Sequence, residues 1–289
     1  MLALWLGASS LWGQIVAHSE MGAAQQVAVS AKTAPKSSSK QAVQSPIAAF
    51  LWTSPTFSPH LRHHFFSQAR AEAAYAHLAQ FSFEMRERYS RLAPKEALRR
   101  LFFSVQKRFL KSYEAYPLLE ETLLEGKYDC LSVTALFAFV LEEMQMAHQI
   151  YETPNHVYLV VIFSEKDRVL IETTDALNGF VDNEAQITER IRLYSQAENE
   201  LVGRELNSLL TLEELAGLQL HNQAIKQYQA GKKALALALA EQAATFYTKA
   251  RNENLSRFLI DELLQDPQTS VQEKVRLFRL RQTLFGEAG

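Results

Sequence analysis

Two apolar runs of strand character in the middle of the chain constrain its fold more than any other feature. Residues 156–163 and 169–174 are rich in β-branched and aromatic side chains, which strands favour. Residues 164–168 between them are polar and have the length of a hairpin connection. A short extended segment at 148–152 precedes them, followed by a turn at 153–155. We therefore expect an antiparallel sheet in this part of the chain.

The segment before these strands predicts a helix that packs on the sheet. Asp129 is the candidate N-cap, because its carboxylate can accept the free amide hydrogens of the first turn. The large apolar residues that follow recur at i, i+3, i+4, i+7, i+8 and i+11, which is the spacing of a helix with one buried face. They are Val133, Leu136, Phe137, Val140, Leu141 and Met144.

Further helices are predicted before and after the strands in the sequence, and no strand is expected after Phe180. They cover residues 61–79, 94–113, 213–228, 233–249, 255–264 and 271–285. The predicted fold class is α+β, with a helix packed on an antiparallel sheet and an all-helical C-terminal region.

Three side chains on these elements suggest nucleophilic chemistry. Cys130, the only cysteine in the chain, lies in the first turn of the predicted helix, where the helix dipole favours a thiolate. His156 opens the first apolar run and Glu172 lies inside the second. A thiol, an imidazole and a carboxylate are the parts of a catalytic triad. Because the start of one antiparallel strand lies near the end of the next, His156 and Glu172 are expected to be neighbours.

Purely structural roles for the same three residues remain open. A lone cysteine on an apolar helix face is commonly a small buried core residue. His156 can be a satisfied histidine at a strand edge, and Glu172 can be a solvent-facing residue of a half-buried strand. A buried Glu172 would need a partner, which a neighbouring histidine would supply.

The order of these segments resembles the transglutaminase-like (papain-superfamily) core. Residues 128–136 carry the helix with a cysteine at its N-terminus, and residues 153–159 carry the histidine at a strand start. Residues 171–175 carry the acid-x-Thr pattern of the next strand. The resemblance covers roughly residues 95–182 of the chain.

That resemblance implies roles for the three residues. Cys130 would be the nucleophile, His156 the base and Glu172 the residue that orients the imidazole. The family usually has aspartate where Glu172 stands, so the longer acid implies a triad that is tuned differently or is inactive. Asp175 is the fallback acid, although strand alternation places it on the face opposite Glu172.

The implied activity is acyl transfer from protein or peptide amides through a thioester on Cys130. Water as the acceptor makes a peptidase or amidase, an amine makes a transglutaminase, and the sequence does not choose between them. No cofactor or metal is implied. The alternative is a catalytically inactive transglutaminase-like module that serves, with its helical tail, as a protein-interaction or structural protein.

Composition argues against several other classes of protein. The net charge of −2 gives no electrostatic case for nucleic-acid binding, and a single cysteine excludes an internal disulfide framework. His60, His63 and His64 suggest a metal at first glance. Because no cysteine or acidic ligand accompanies them, we expect ordinary surface histidines.

The N-terminal region is expected to lie outside the folded core. Residues 1–12 are apolar but too short to span a bilayer, so no stable membrane anchor is expected. We interpret residues 1–24 as an export signal, complete or with its start upstream, because no Lys or Arg precedes the apolar run. The protein would then be periplasmic or secreted. Residues 25–58, rich in Ala, Ser, Gln and Lys, are expected to be a flexible linker.

The remaining chain is divided into a transglutaminase-like domain at 59–203 and a helical region at 204–289. Small residues of the helical region loosely resemble one tetratricopeptide unit: Ala224, Gly231, Ala236, Ala240 and Ala243. A single unit cannot show repetition. Helices that pack on the catalytic core are therefore the interpretation we favour, with a protein partner of this region as the alternative.

Overall fold

The computed structural model describes residues 46–153, 155–199 and 208–286, which form an α+β fold as predicted. Its helices are α1 (Pro46–Phe50), α2 (Pro59–Phe65), α3 (Gln68–Tyr89), α4 (Pro94–Phe109), α5 (Leu119–Leu124), α6 (Cys130–Glu143), α7 (Glu184–Asn199), α8 (Leu212–Gln229), α9 (Lys233–Ala243), α10 (Ala250–Gln265) and α11 (Val271–Phe285). Its strands are β1 (Ser112–Tyr113), β2 (Lys127–Tyr128), β3 (His148–Glu152), β4 (Val157–Ser164), β5 (Asp167–Ile171), β6 (Phe180–Val181) and β7 (Ser208–Leu210).

The main sheet is antiparallel throughout, in the order β6-β5-β4-β3-β7. The predicted hairpin at its centre is confirmed, since Val160 pairs with Leu170 and Val161 with Val169. β3 pairs with β4 on the other side, with Glu152 opposite Val157. Strands β3 and β5 therefore run in the same direction, and their C-terminal ends meet at one edge of the sheet.

Helix α6 lies against one face of the sheet and is the centre of the largest core. Val133, Leu136 and Val140 pack with Leu159 and Val161 of β4. The prediction of one buried face is too narrow, because every residue from 131 to 138 is buried. Helices α3, α5 and α8 surround α6 on its remaining sides, which is why apolar residues continue around the helix.

Helix α7 covers the opposite face of the sheet. Tyr158, Val160 and Leu170 point to that side, where they pack with Ile187 of α7. The alternation expected for the two central strands is thereby confirmed for these positions. The sheet has helices on both faces, so its edges are the places where polar side chains can reach solvent.

The C-terminal region contributes a strand to the sheet and a helix to the core around α6. Ser208 and Leu210 of β7 pair with Glu152 and Ile150 of β3, and Thr211 then caps α8. Leu215 of α8 belongs to the core around α6. A second core joins the later helices to Leu61 of α2, and its fully buried members include Leu220, Ala224, Ala236, Leu239, Ala240, Leu259 and Leu277.

Several local predictions need correction, including the helix predicted at 94–113, which ends at Phe109 before β1. Strands do not stop after Phe180, because β7 pairs with β3 from within the predicted all-helical region. The predicted helix at 61–79 is two helices, because Phe66 is extended between α2 and α3. The end of the predicted linker is folded, since Phe50 and Trp52 are fully buried. Its earlier part and the predicted export signal lie outside the described residues.

Candidate functional site

Cys130 is the first residue of α6 and is partly exposed. Asp129 is the N-cap, as predicted: its Oδ1 accepts from the Ser132 amide at 2.8 Å, while its own amide donates to the Ser132 hydroxyl at 3.1 Å. Burial raises the pKa of the Asp129 carboxyl to about 6, against the hydrogen bonds from Ser132. This reciprocal pair of hydrogen bonds fixes the residue at which the helix begins and so fixes the position of the Cys130 thiol.

His156 lies one residue before β4, on a tight turn after β3. The Thr153 amide donates to the His156 carbonyl at 2.8 Å, and the Thr153 hydroxyl donates to the same oxygen at 3.2 Å. The strand begins at Val157 rather than at His156 as predicted. The imidazole is thus held at the end of the sheet, beside the first turn of α6.

Glu172 follows β5 directly instead of lying inside the strand. Its amide donates to the Gly179 carbonyl at 2.8 Å, and the Gly179 amide donates to the Asp175 carbonyl at 2.8 Å. A Cβ at Gly179 would lie 2.1 Å from the Glu172 carbonyl oxygen, so only glycine allows this close approach. The turn ends β5 at Ile171, three residues before the predicted end of the strand, and directs the Glu172 carboxylate to the sheet edge.

The structure brings His156 and Glu172 into direct contact. The imidazole Nε2 donates to Glu172 Oε2 at 2.5 Å, and both side chains are largely buried. The Tyr194 hydroxyl donates to the same Oε2 at 2.7 Å, and the Thr174 hydroxyl donates to Oε1 at 3.0 Å. All of these donors favour the ionised carboxylate.

The electrostatics of this pair favour an imidazolium beside a carboxylate. Burial alone raises the pKa of Glu172, but the charge and hydrogen bond of His156 and the bonds from Tyr194 and Thr174 lower it to about 2. For His156 the effects have the opposite sign. Burial lowers its pKa, but the Glu172 charge and hydrogen bonding with Cys130 and Glu172 raise it to about 10. A protonated His156 near neutral pH follows from this balance.

The Cys130 side chain is the other neighbour of the His156 ring. It acts on the pKa of His156 both as a charge and as a hydrogen-bonding partner. Because Nε2 is bonded to Glu172, Nδ1 is the nitrogen left for the thiol.

Thr173 ties the turn after β5 to helices α6 and α4. The Thr173 hydroxyl donates to the Cys130 carbonyl at 3.4 Å and lies 3.4 Å from the Thr134 hydroxyl of α6. Gln106 of α4 donates to the Thr173 carbonyl at 2.8 Å. The residue after Glu172 is therefore anchored to the helix that carries the cysteine.

Asp175 is not at the imidazole. Its Oδ1 accepts from the amides of Leu177 and Asn178 at 3.2 and 2.9 Å, which closes the turn after Glu172. Its other oxygen lies 3.9 Å from Arg190 of α7. Glu172, and not Asp175, is therefore the carboxylate that contacts His156.

Sequence reasoning missed the aromatic residues around the site. Tyr194 of α7 donates to Glu172. Ile187, Ile191 and Tyr194 recur at helical spacing on the face that packs on the sheet, and this spacing was the sequence signal for Tyr194. Tyr113 of β1 is about half exposed and packs edge-on against Tyr128, two residues before Cys130. It therefore lies near the start of α6, although no pattern marks this position.

A second buried carboxylate, Glu152, was also missed. Its Oε1 accepts from the Tyr247 hydroxyl at 2.5 Å and from Arg251 at 3.0 Å. Ser208 of β7 lies within 3.5 Å of its other oxygen. The partners come from the C-terminal helical region, whereas Glu152 belongs to the sheet.

The three neighbouring histidines lie exposed on or near one face of α2. The His60 and His64 rings are 4.8 Å apart, and the His63 and His64 rings are 5.8 Å apart. Within the described ranges, no three or more His, Cys, Asp or Glu side chains are grouped so as to hold a metal ion. In the same ranges no helix has the length and apolarity needed to cross a membrane.

Comparison with protein-family models, with curated proteins and with solved structures found no match for this chain. The assignment of a function therefore depends on the arrangement of Cys130, His156 and Glu172 alone.

Proposed function

We propose that this protein is a transglutaminase-like cysteine hydrolase or acyltransferase that acts on amides of proteins or peptides. The observation that carries the proposal is the meeting of three side chains at one edge of the sheet. Cys130 begins α6, His156 precedes β4 and Glu172 follows β5, and the imidazole lies between the thiol and the carboxylate. This is the arrangement that a nucleophile, a base and an orienting acid require.

The first half of the reaction acylates the cysteine. The Cys130 thiolate attacks the carbonyl carbon of the amide, and a C–S bond forms. The His156 imidazolium then donates its Nδ1 proton to the leaving nitrogen as the C–N bond breaks. Glu172 keeps the charged ring in place through Nε2 during this transfer.

The start of α6 can stabilise the oxyanion that develops on the carbonyl oxygen. The amides of Leu131 and Ser132 are bonded to Asp129, which leaves the Cys130 amide to donate to substrate. One such donor is typically worth about 3 kcal/mol in the transition state.

The second half returns the enzyme to its first state. Water or an amine attacks the thioester carbonyl, and His156, now neutral, takes a proton from this attacking group. The C–S bond breaks and the thiolate forms again beside an imidazolium. Water gives a peptidase or amidase, and an amine gives a transglutaminase.

The test is the rate at which iodoacetamide labels the native protein. Cys130 is the only cysteine, so each labelled molecule reports that residue alone. We expect labelling to remain fast at pH 6 and to fall at least tenfold in His156→Ala, because the imidazolium that attracts the thiolate is lost. His148→Ala is the matched control, since His148 lies at the far end of β3 and binds the Met146 carbonyl.

Labelling that requires unfolding, or that is equally fast without His156, would contradict the proposal. If the thiol is reactive, incubation with casein and a fluorescent alkylamine distinguishes the two acceptors. Fluorescent casein shows amine transfer, whereas new amino termini or released ammonia show hydrolysis.

The second candidate is a non-catalytic module that binds a protein partner through its helical region. The observation in its favour is an apolar face of α11 that remains exposed, most of all at Val271, which is 81% exposed. Val275 and Phe278 lie on the same face at about half exposure. An inert Cys130 in the native protein would favour this candidate.

We also propose that the protein is exported, on the basis of the apolar run at its N-terminus. Sequencing the amino terminus of the protein recovered from the expressing cells tests this. Cleavage near residue 24 supports export, and an intact N-terminus opposes it.

A further inference from the structure

Tyr194 contacts both members of the buried ion pair, and the proposed reaction does not yet use it. Its hydroxyl donates to Glu172 Oε2 at 2.7 Å, the same oxygen that accepts from His156 at 2.5 Å. Because Thr174 occupies Oε1, the carboxylate has a donor on each oxygen. Rotation of the carboxylate would break several of these bonds at once.

The ring of Tyr194 contributes a second, independent contact. Its centroid lies 5.5 Å from that of His156 and 5.0 Å from that of Tyr158. Aromatic rings at this separation attract each other and exclude water between them. One side chain therefore limits the rotation of both the acid and the imidazole.

The position of the Tyr194 side chain is itself supported by a neighbour on its own helix. The guanidinium of Arg190, one helical turn earlier on α7, lies close enough to the Tyr194 hydroxyl to oppose the rise in its pKa that burial causes. The Arg190 guanidinium also donates to the Asn178 carbonyl at 3.3 Å. The phenol is thus placed between an anchored cation and the carboxylate, and helix α7 is tied to the turn that follows Glu172.

We infer that Tyr194 is a positioning residue that fixes the Glu172 carboxylate against His156 Nε2 and thereby keeps Nδ1 directed at Cys130. The inference rests on the proposed function, which it extends by a fourth side chain. Tyr194 acts through Glu172 and touches no reacting atom.

The first measurement does not depend on thiol reactivity. In protein with 15N-labelled histidine, the His156 Nε2 proton should give a strongly downfield NMR signal, assigned by its loss in His156→Ala. We expect Tyr194→Phe to move that signal upfield or broaden it, because the acceptor is no longer fixed. Tyr151→Phe is the matched control: its ring stacks on Tyr158 at 5.2 Å, but its hydroxyl donates to Gln149.

The second measurement is the pH profile of Cys130 alkylation. Tyr194→Phe should slow labelling about tenfold at pH 7, the loss expected for one hydrogen bond to a charged group. Its acid limb should move to higher pH, because the bond from Tyr194 lowers the pKa of Glu172. The ionisable groups that face the carboxylate or lie directly behind its partners are His156, Tyr194, Arg190, Asp175 and Cys130.

A double-mutant cycle separates positioning from a general structural role. In a Glu172→Gln background, Tyr194→Phe should change the labelling rate by less than twofold, since there is no carboxylate to position. An unchanged His156 signal and an unchanged acid limb in Tyr194→Phe would overturn the inference while leaving the proposed function intact. A wild-type thiol that is inert would overturn the proposed function, and the NMR signal would still decide the role of Tyr194.

Discussion

Glu152 and Glu172 are two buried carboxylates at the same edge of the sheet, and they differ in the cation that each one binds. Glu152 ends β3 and Glu172 follows β5, and each is 6% exposed. Arg251 lies 3.0 Å from Glu152, whereas His156 lies 2.5 Å from Glu172. A guanidinium stays charged at every accessible pH, but an imidazole can release its proton.

The two sites are otherwise built in the same way. A tyrosine hydroxyl donates to each acid, from Tyr247 at 2.5 Å and from Tyr194 at 2.7 Å. A glycine permits a close approach at each: Gly179 beside Glu172, and Gly217, where a Cβ would lie 2.5 Å from Tyr247 Cβ. Arg251 therefore makes the contact of Glu152 a fixed anchor between the sheet and the helices, whereas His156 beside Glu172 is a group that can move a proton.

The largest effect should come from removing the helices that supply the partners of Glu152. A chain that ends at residue 211 loses Tyr247 and Arg251, and it uncovers the apolar side chains against which α8 packs. We expect loss of cooperative thermal unfolding and poor solubility. If the shortened chain melts at the temperature of the whole protein, the helical region is an independent module and Glu152 needs no anchor.

A single substitution tests the contact between Glu152 and Arg251 without removing the helices. Arg251→Ala leaves a buried carboxylate without its cation, which typically costs about 3–5 kcal/mol of unfolding free energy. Denaturant unfolding measures the loss, and Glu152→Gln in the same chain should recover much of it. Labelling of Cys130 in the folded fraction should change less than it does on substitution of Glu172. A loss below about 1 kcal/mol would show that Glu152 is satisfied without arginine.

The corresponding change at the other acid should act on chemistry more than on folding. Glu172→Gln keeps the shape of the side chain but removes the charge that stabilises the imidazolium. We expect alkylation of Cys130, or turnover, to slow by an order of magnitude or more. Glu172→Asp keeps the charge and should be tolerated if the site closes by one methylene. Unaltered labelling in Glu172→Gln would remove Glu172 from the site.

The pH dependence of stability should distinguish the two acids. The pKa of Glu172 is lowered from 4.5 to about 2, so its contribution is present above pH 4.5 and is lost as the pH falls towards 2. The pKa of His156 is raised from 6.5 to about 10, so its contribution is present below pH 6.5 and is lost as the pH rises through 10.

The difference in unfolding free energy between wild type and Glu172→Gln should therefore be widest between about pH 4.5 and 6.5 and should narrow on both sides. The difference for Arg251→Ala should persist on the alkaline side, because arginine does not lose its proton there. Urea titrations across this range measure both. A Glu172→Gln difference that is equally large at pH 10 would mean that His156 is not its cation.

Side-chain periodicity predicted the elements of the fold well. The run from Val133 to Leu141 gave the central helix, and the β-branched runs gave the hairpin. Periodicity is set by local geometry, so it is visible in a single stretch of sequence. It could not give β7, because a three-residue strand is defined by its pairing with β3 across 56 or more positions of chain.

The site was predicted in part for the same reason. Cys130, His156 and Glu172 each stand at a boundary of an element, where a polar residue interrupts an apolar pattern. Tyr247 and Arg251 act by reaching across the fold, and their own helices give no sign of it, whereas Tyr194 is marked only by its helical spacing with Ile187 and Ile191. The turn at Gly179 was missed because Thr173 and Thr174 have strand propensity, which the tertiary contact overrides.

The smallest effect is expected at Asp175, and it is the sharpest check on which acid serves His156. Asp175→Asn keeps an oxygen that can accept from the Leu177 and Asn178 amides, so the turn should survive. It removes one charge 3.9 Å from Arg190, a partly exposed contact that is worth little. We expect the rate of Cys130 alkylation to stay within about twofold of wild type and the unfolding free energy to fall by less than about 1 kcal/mol. If Asp175→Asn instead slows alkylation tenfold while Glu172→Gln is silent, the acid of the site is Asp175, and the likeness between the two glutamates is only structural.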